Sequence, residues 1–458
     1  MNSKIKFIFI VVILSVLTFV VYIKQEEFKQ QELGEEVLGR QESITELSEA
    51  FTMYIATDIH YLSPKLTDDK EAFKTFVESG DGKQLDYIEE IMDAFIYEIK
   101  ENHPDALIIS GDLTNNGEKE SHLGLAQKLK EIEEGGTKVY VIPGNHDISN
   151  PWARKFEEDK QLVTETINEE EFVQIYKAFG YEEAYLRDKD SLSYVAIPTE
   201  DVWLLMLDTN QYKNNIKQGY PEASGEISKH TLKWIKECIQ LAKEKGVKLI
   251  PVTHHSALNH SSKLQKKFTL NNYKELIRLY EEAEIPVNLS GHIHIQDISS
   301  YKNNGLEIYD IATSSLVVYP QQYGLLKYDA VKQAVHYSTA KIDIEGWAKK
   351  NKIMDPILND FNTYSEDFFG NLAYKMAYDQ LIKLNNLTKQ EVELMSETMK
   401  VLNVRFFAGE ESLNETDPVI ANGIKLWSKV PNNFLKRYVY SIIKDPDVKD
   451  NELTIYFK

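Results

Sequence analysis

The sequence predicts an α/β layered body followed by an all-α C-terminal segment, and three observations predict it. From Thr52 to about Ile344, short apolar runs of strand length alternate with stretches of helical period. Polar residues able to hold metals fall just after those runs, where α/β folds gather their ligands. Beyond Ile344 the strand-like runs stop and only helical periods remain.

The elements follow in order. Met53 to Thr57 reads as a strand, and Leu85, Ile88, Met92, Phe95, Ile96 and Ile99 recur at helical spacing. Ala106–Ile109, Val139–Ile142, Trp203–Leu207, Lys248–Val252, Val287–Leu289 and Ile308–Ile311 read as further strands, with a helix from Ile227 to Lys243. Cys238 lies on the apolar face of that helix with Leu232, Ile235 and Ile239, so it reads as a core residue. In the C-terminal part, Phe368–Leu384 and Thr388–Phe406 are helical, the second opening on a Thr388-x-x-Glu391 capping box. A further helix spans Asn432 to Ile443.

Lys4 and Lys6 precede an apolar run from Phe7 to Ile23, closed by Lys24. That pattern is a signal segment or a membrane anchor. No small-x-small cleavage site follows, which favours the anchor, and the positive-inside rule puts the body outside the cytoplasm. A cleaved segment would instead leave a secreted protein. Protease shaving of intact cells tests the orientation: the body should be digested without lysis. The expected organisation is therefore 1–24 membrane anchor or signal segment, 25–49 polar stalk, 50–343 catalytic domain and 344–458 helical domain.

The composition, 42% hydrophobic and 27% charged, is that of an ordinary globular chain. The formal net charge of -20 leaves no basic stripe for a polymeric nucleic acid. A small anionic substrate remains compatible, because bound cations invert the local field.

Asp58-Ile59-His60 ends the first strand, Ser110-Gly111-Asp112 the second and Gly144-Asn145-His146-Asp147 the third. Thr253-His254-His255 and Gly291-His292-Ile293-His294 end two later ones. Singly these signals are weak. Gly-Asp after a strand is commonly a turn, and His254 fits a satisfied core histidine beside an exposed His255. Together they are strong, since the chain has only 11 histidines and six of them sit in these five segments. Mixed carboxylate and imidazole donors suit Zn, Fe or Mn.

This series resembles the calcineurin-like metallophosphoesterases over roughly residues 52–320. The Gly-Asp-Leu-Thr and Gly-Asn-His-Asp forms look most like the bacterial branch that includes cyclic-nucleotide and glycerophosphodiester phosphodiesterases. The resemblance implies a four-layer α/β sandwich of two mixed β-sheets flanked by helices, here with the all-α C-terminal domain appended. It implies two divalent metal ions (Mn, Fe or Zn), one held by Asp58, His60, Asp112 and His294 and the other by Asp112, Asn145, His254 and His292. Asp112 would bridge them, and a bridging carboxylate suits cations roughly 3.5–4 Å apart. A hydroxide between the metals would attack phosphorus in line.

By the same resemblance His146 meets the leaving-group or a phosphate oxygen, as general acid or cationic clamp. Asp147 either orients His146 or simply forms the turn. Asn145, His146 and His255 would contact substrate, although Ser256 stands where relatives often have a proline after the histidine pair. His260 is a loop residue or a further substrate contact.

The activity implied is hydrolysis of a small phosphodiester such as a cyclic nucleotide. Phosphomonoesterase activity is the nearest alternative, and a catalytically inactive surface binding protein is the alternative from another class. Completeness of the ligand set favours the enzyme. The C-terminal helices supply no ligand, so they are not expected to be needed for the metal site. Their aromatics Phe368, Phe369, Tyr374, Trp427, Tyr438 and Tyr440 suggest a cap over the cleft or a core of their own.

Overall fold

The computed structural model describes residues 50–384, 386–410, 418–431, 433–445 and 449–458. The expected membrane segment and stalk lie outside these residues. Among the described residues, no helix is long and apolar enough to cross a membrane.

Fifteen strands appear in chain order among the described residues: β1 Ala50–Ala56, β2 Ala106–Ser110, β3 Lys138–Ile142, β4 Arg154–Glu157, β5 Lys160–Val163, β6 Leu186–Arg187, β7 Tyr194–Ala196, β8 Val202–Leu207, β9 Lys248–Thr253, β10 Val287–Ser290, β11 Asp297–Asn303, β12 Leu306–Ala312, β13 Gln322–Asp329, β14 Ala334–Lys341 and β15 Glu452–Tyr456. One sheet runs β15-β14-β13-β1-β2-β3, the other β11-β12-β10-β9-β8-β7-β6, and β4 and β5 form a separate hairpin.

The strands read from the sequence are those of the parallel blocks of the two sheets. β1, β2 and β3 are parallel neighbours, as are β8, β9, β10 and β12. Both faces of such strands are covered, so they appear as continuous apolar runs. β2 is buried along its whole length. Met53, Ile55, Leu107 and Val141 share one core with Leu204, Met206, Val252 and Leu289 of the other sheet, so the sheets pack face to face. The outer face of the second sheet carries its own core, with Leu232, Ile235 and Cys238 of helix Lys229–Lys245 and Leu276 and Tyr280 of helix Tyr273–Ala283. Helices Ile88–Asn102 and Lys119–Glu134 flank the first sheet, which completes the four layers.

The C-terminal part holds helices Ile344–Lys350, Phe361–Leu381, Lys389–Phe407, Pro418–Lys429 and Phe434–Ile443. The capping box is formed: Glu391 N donates to Thr388 Oγ1 at 3.2 Å, and Thr388 N donates to Glu391 Oε2 at 2.9 Å. Helix Pro418–Lys429 was not anticipated. Its Asn422-Gly423 pair weakens helix propensity, but tertiary packing prevails, with Gly423 set against Thr398.

Two expectations need correction. Strands do not end near Ile344, because β15 pairs antiparallel with β14, Ala334 facing Tyr456. A five-residue edge strand with only Leu453 and Ile455 apolar is too short for periodicity to reveal. The aromatics do not roof the cleft either. Trp427 is fully buried, its Nε1 donating to Met395 O at 3.1 Å, and the Tyr438 hydroxyl donates to Asn403 Oδ1 at 2.7 Å. Tyr374 stacks on Tyr378 and Phe368 beside Tyr364, while Tyr440 packs at the bundle core. Phe369 joins the core shared by the sheets. These aromatics recur at helical spacing because they build the bundle and seat it on the body.

Candidate metal centre

Each strand end delivers its residues by a sharp turn. Asp58, His60, Asp112, His292 and His294 all have left-handed backbone, with φ of 51°, 47°, 47°, 69° and 62°. For residues with a Cβ that conformation costs about 1–2 kcal/mol each. It persists at functional sites where surrounding bonds enforce it. Here Asp58 N donates to Gly111 O at 3.0 Å and His60 N to Asp112 O at 2.9 Å, so the β1 and β2 loops hold each other. The approach of the β10 loop needs glycine: a Cβ on Gly291 would lie 1.9 Å from Thr57 Oγ1 and 2.7 Å from Asp58 Oδ2.

The result is two adjoining cages. Donor atoms of Asp58, His60, Asp112 and His294 all lie within 4.8 Å of one another, and so do those of Asp112, His254 and His292. His60 Nε2 and His294 Nε2 face each other at 3.1 Å, and His294 Nε2 is 3.2 Å from Asp58 Oδ1. In the second cage His254 Nε2 is 3.1 Å from Asn145 Oδ1 and 3.4 Å from Asp112 Oδ2. Asp112 Oδ2 is also 3.8 Å from His60 Nε2, so one carboxylate oxygen serves both cages.

The surrounding bonds leave the right atoms free. Asp58 Oδ2 accepts from Thr57 Oγ1 at 2.6 Å and from His292 N at 2.8 Å. Asp58 Oδ1, wholly buried, is left without a hydrogen-bond donor. Asp112 Oδ1 accepts from His146 N at 2.8 Å, leaving Oδ2. His254 Nδ1 donates to Ser110 O at 2.9 Å and His292 Nε2 to Lys267 O at 3.0 Å, which assigns the tautomers and aims the opposite nitrogens inward. A buried carboxylate oxygen without a donor, among imidazoles with bare nitrogens, is a donor set that fits divalent cations.

The buried charges are coupled, and a cation would displace the proton that His254 shares with Asp112. Burial would raise the Asp112 carboxyl, but His254 and His146 hold it well below the usual carboxylate range. Burial works against charge on His254, yet the Asp112 carboxylate lifts it to about 9. Burial also lowers His292 to about 4 and His60 well below its ordinary value.

The structure thus brings all seven predicted ligands together and corrects three neighbours. Asp147 does not orient His146. Its carboxylate accepts from Leu113 N, Thr114 N, Thr114 Oγ1 and Gly144 N at 3.1, 2.9, 2.9 and 2.7 Å, tying the β2 loop to the β3 loop. His146 Nδ1 donates to Asn115 O at 2.8 Å and lies 3.1 Å from Asn116 Oδ1, so the asparagines aim it. No motif announced them, and the main acceptor is a backbone carbonyl. His255 does not line the cleft. It is fully buried, with Nδ1 2.8 Å from Thr209 Oγ1 and its ring packed at 4.4 Å against His292.

His260 is no substrate contact. It is buried in an ion pair with Asp297, and its Nε2 lies 3.1 Å from Asp310 Oδ2. Burial alone would lower its pKa, but the two carboxylates outweigh it and hold it at about 10. That exceeds the unfolded value of about 6.5. The stability it contributes is therefore full below pH 6.5 and is lost as pH rises through 10. His260→Gln should cost about 3–5 kcal/mol near pH 6 and clearly less at pH 10. Denaturant titrations at both pH values check this, and an equal loss at both would contradict the ion pair.

The helical part reaches the centre from behind. Ile293 and Ile295, which flank His294, are buried among Ala373, Ala377, Met399 and Phe406 of the helices. Gln296 N donates to Phe407 O at 3.3 Å, and Gln296 Nε2 to Asp450 O at 2.7 Å. The helices supply no ligand, but they pack on the loop that carries His292 and His294, which bears against their being dispensable for the metal site.

Known proteins resemble both parts of the chain. Residues 51–296 match the family model described as calcineurin-like phosphoesterase, and residues 343–450 match the C-terminal domain of cyclic nucleotide phosphodiesterase. A probable cyclic nucleotide phosphodiesterase of Coxiella burnetii is 23% identical over 201 residues, covering 43% of this chain and 63% of that protein. A probable glycerophosphodiester phosphodiesterase, GpdQ, of Arcobacter nitrofigilis is 40% identical over 55 residues, covering 12% of this chain and 19% of that one. The chain thus spans less than two thirds of either curated relative. Among solved structures, a dimetal phosphatase from Danio rerio is similar at 11% identity and a TM-score of 0.43, covering 63% of this chain and 95% of that one. With the matched model spanning the β1 to β10 loops that carry the candidate ligands, the chain belongs to the calcineurin-like phosphoesterase family.

Proposed function

We propose that the protein is a phosphodiesterase acting on a small diester such as a cyclic nucleotide. The observation that carries this reading is the helical segment: it matches a domain described for cyclic nucleotide phosphodiesterase, and it clamps the β10 ligand loop. The two curated relatives bear diesterase names.

Asp58, His60, Asp112 and His294 would hold one cation; Asp112, Asn145, His254 and His292 would hold the other. Bound there, the pair would supply Lewis acidity toward a phosphoryl oxygen and acidify a water. The remaining work belongs to side chains. His146 is half-buried, with Nδ1–H spent on the Asn115 carbonyl, so Nε2 is the atom left to exchange a proton or hydrogen bond with substrate. Burial, partly offset by the Asp112 carboxylate, holds the ring below the usual imidazole range. An anionic ester arriving beside it raises it again. The ring then protonates a departing oxygen.

His146→Ala should keep both cations and slow turnover about 10²–10⁴-fold. Steady-state kinetics beside elemental analysis measure both. Substrate class is tested on a panel of 3′,5′-cyclic nucleotides, a glycerophosphodiester, bis(p-nitrophenyl) phosphate and p-nitrophenyl phosphate. Faster turnover of the monoester than of every diester would overturn the proposal in favour of a phosphomonoesterase.

A further inference from the structure

We propose that Lys83 binds a non-bridging phosphate oxygen of the substrate at the mouth of the metal centre, and that helix Phe361–Leu381 positions it there. The inference rests on a phosphate ester being the substrate and adds a specificity residue that no metal motif contains.

Lys83 is only 8% exposed, yet among the described residues its one ion pair is with Asp81, 3.2 Å away, whose side chain is 61% exposed. A buried ammonium is costly unless an anion meets it. A solvated carboxylate contributes little to that balance.

The loop's position says which anion. Gln84 N donates to Val317 O at 3.0 Å, and Leu316 N donates to Thr57 O at 3.1 Å, so the Lys83 loop is two short steps from the strand end that bears Asp58. A cation beside two dications is repelled unless negative charge lies between them. Asp81 supplies part of that charge and a substrate phosphate the rest, and lysine suits it as a point charge.

The C-terminal helix fixes the loop. Gly82 has φ +93°, and a Cβ there would lie 2.6 Å from Phe369 Cδ2, so glycine lets the ring press directly on the loop. Gln84 Nε2 donates to Ser365 Oγ at 2.7 Å, and Ser365 Oγ donates to Gln321 Oε1 at 2.7 Å. Phe369 stacks near Tyr319, with centroids 6.2 Å apart and planes 17° apart. Phe369 is thus a positioning residue: it touches the loop, not the ester.

The test is calorimetric binding of inorganic phosphate to the metal-loaded full chain, with KM and kcat on bis(p-nitrophenyl) phosphate in parallel. Lys83→Met should weaken phosphate binding and raise KM about 10- to 100-fold, with metal content unchanged. Lys83→Arg should recover most of the loss. Phe369→Ala should shift both constants the same way by less. Asp81→Asn separates this from a structural ion pair: it should bind phosphate at least as tightly as wild type. Unchanged phosphate binding in Lys83→Met, or equal losses in Lys83→Met and Asp81→Asn, would overturn the proposal while leaving the hydrolase reading intact. Wild-type protein that neither binds phosphate nor turns over any ester would overturn both.

Discussion

Asp112→Ala is expected to abolish metal-dependent hydrolysis and to lower bound metal in both cages. One oxygen, Oδ2, lies 3.8 Å from His60 Nε2 and 3.4 Å from His254 Nε2, so it is the only carboxylate atom common to the two clusters among the described residues. The other oxygen holds His146 N at 2.8 Å, so the same substitution also frees the loop bearing His146. Within the second cage Asp112 is the sole anionic donor, alongside His254, His292 and the neutral amide of Asn145. Its loss leaves neutral donors with poor affinity for a hard dication. Elemental analysis of the dialysed variant beside wild type reads the outcome, and retention of two metals with near-normal turnover would sink the assignment. Loss in both places separates this residue from His146, whose removal should leave metal content alone.

Removing residues from Ile344 onward is expected to cost metal binding as well as thermal stability. The cut exposes Ile293 and Ile295, which are 4% and 0% exposed in the intact chain. It also deletes the Phe407 and Asp450 acceptors of Gln296 and the β15 partner of β14. Exposing a fully buried isoleucine costs roughly 1.5–3 kcal/mol at each position. The loop around them holds His292 and His294 in left-handed backbone. A truncated protein with full metal content and an unshifted melting temperature would overturn this. Ile293→Asp in the full chain should show the same loss of metal with the helices still present.

The sequence was informative where chemistry and burial coincide. β1, β2, β3, β9 and β10 are covered on both faces and end in metal donors, so their apolar runs and terminal motifs reinforced one another. The seven candidate donors that the structure gathers were therefore legible without coordinates. β6, β7 and β15 were not, because strands of two to five residues at or near sheet edges leave too short a pattern. The roles of Asp147 and Asn115 were hidden for another reason. A carboxylate that accepts from backbone amides, and a carbonyl that accepts from an imidazole, depend on chain trajectory and not on residue type. Lys83 was overlooked because a lysine in a Gly-Asp-Gly-Lys loop reads as solvated until Phe369, almost three hundred positions on, is seen pressing on that loop.

Because β15 returns to pair with β14, the helical segment is an excursion within one sheet, anchored at both ends to adjacent strands. Two anchors so placed forbid the wide hinged swing open to a domain hung from a single linker. Substrate selection must then come from the fixed shape of the joined surfaces. The order of synthesis carries a second consequence. Strand β14 offers an unpaired rim until β15 has been made, and an open rim is a template for mispairing. Slow translation through the helices should therefore lengthen the window for aggregation, and substitutions that weaken β15 should reduce soluble yield before they touch catalysis.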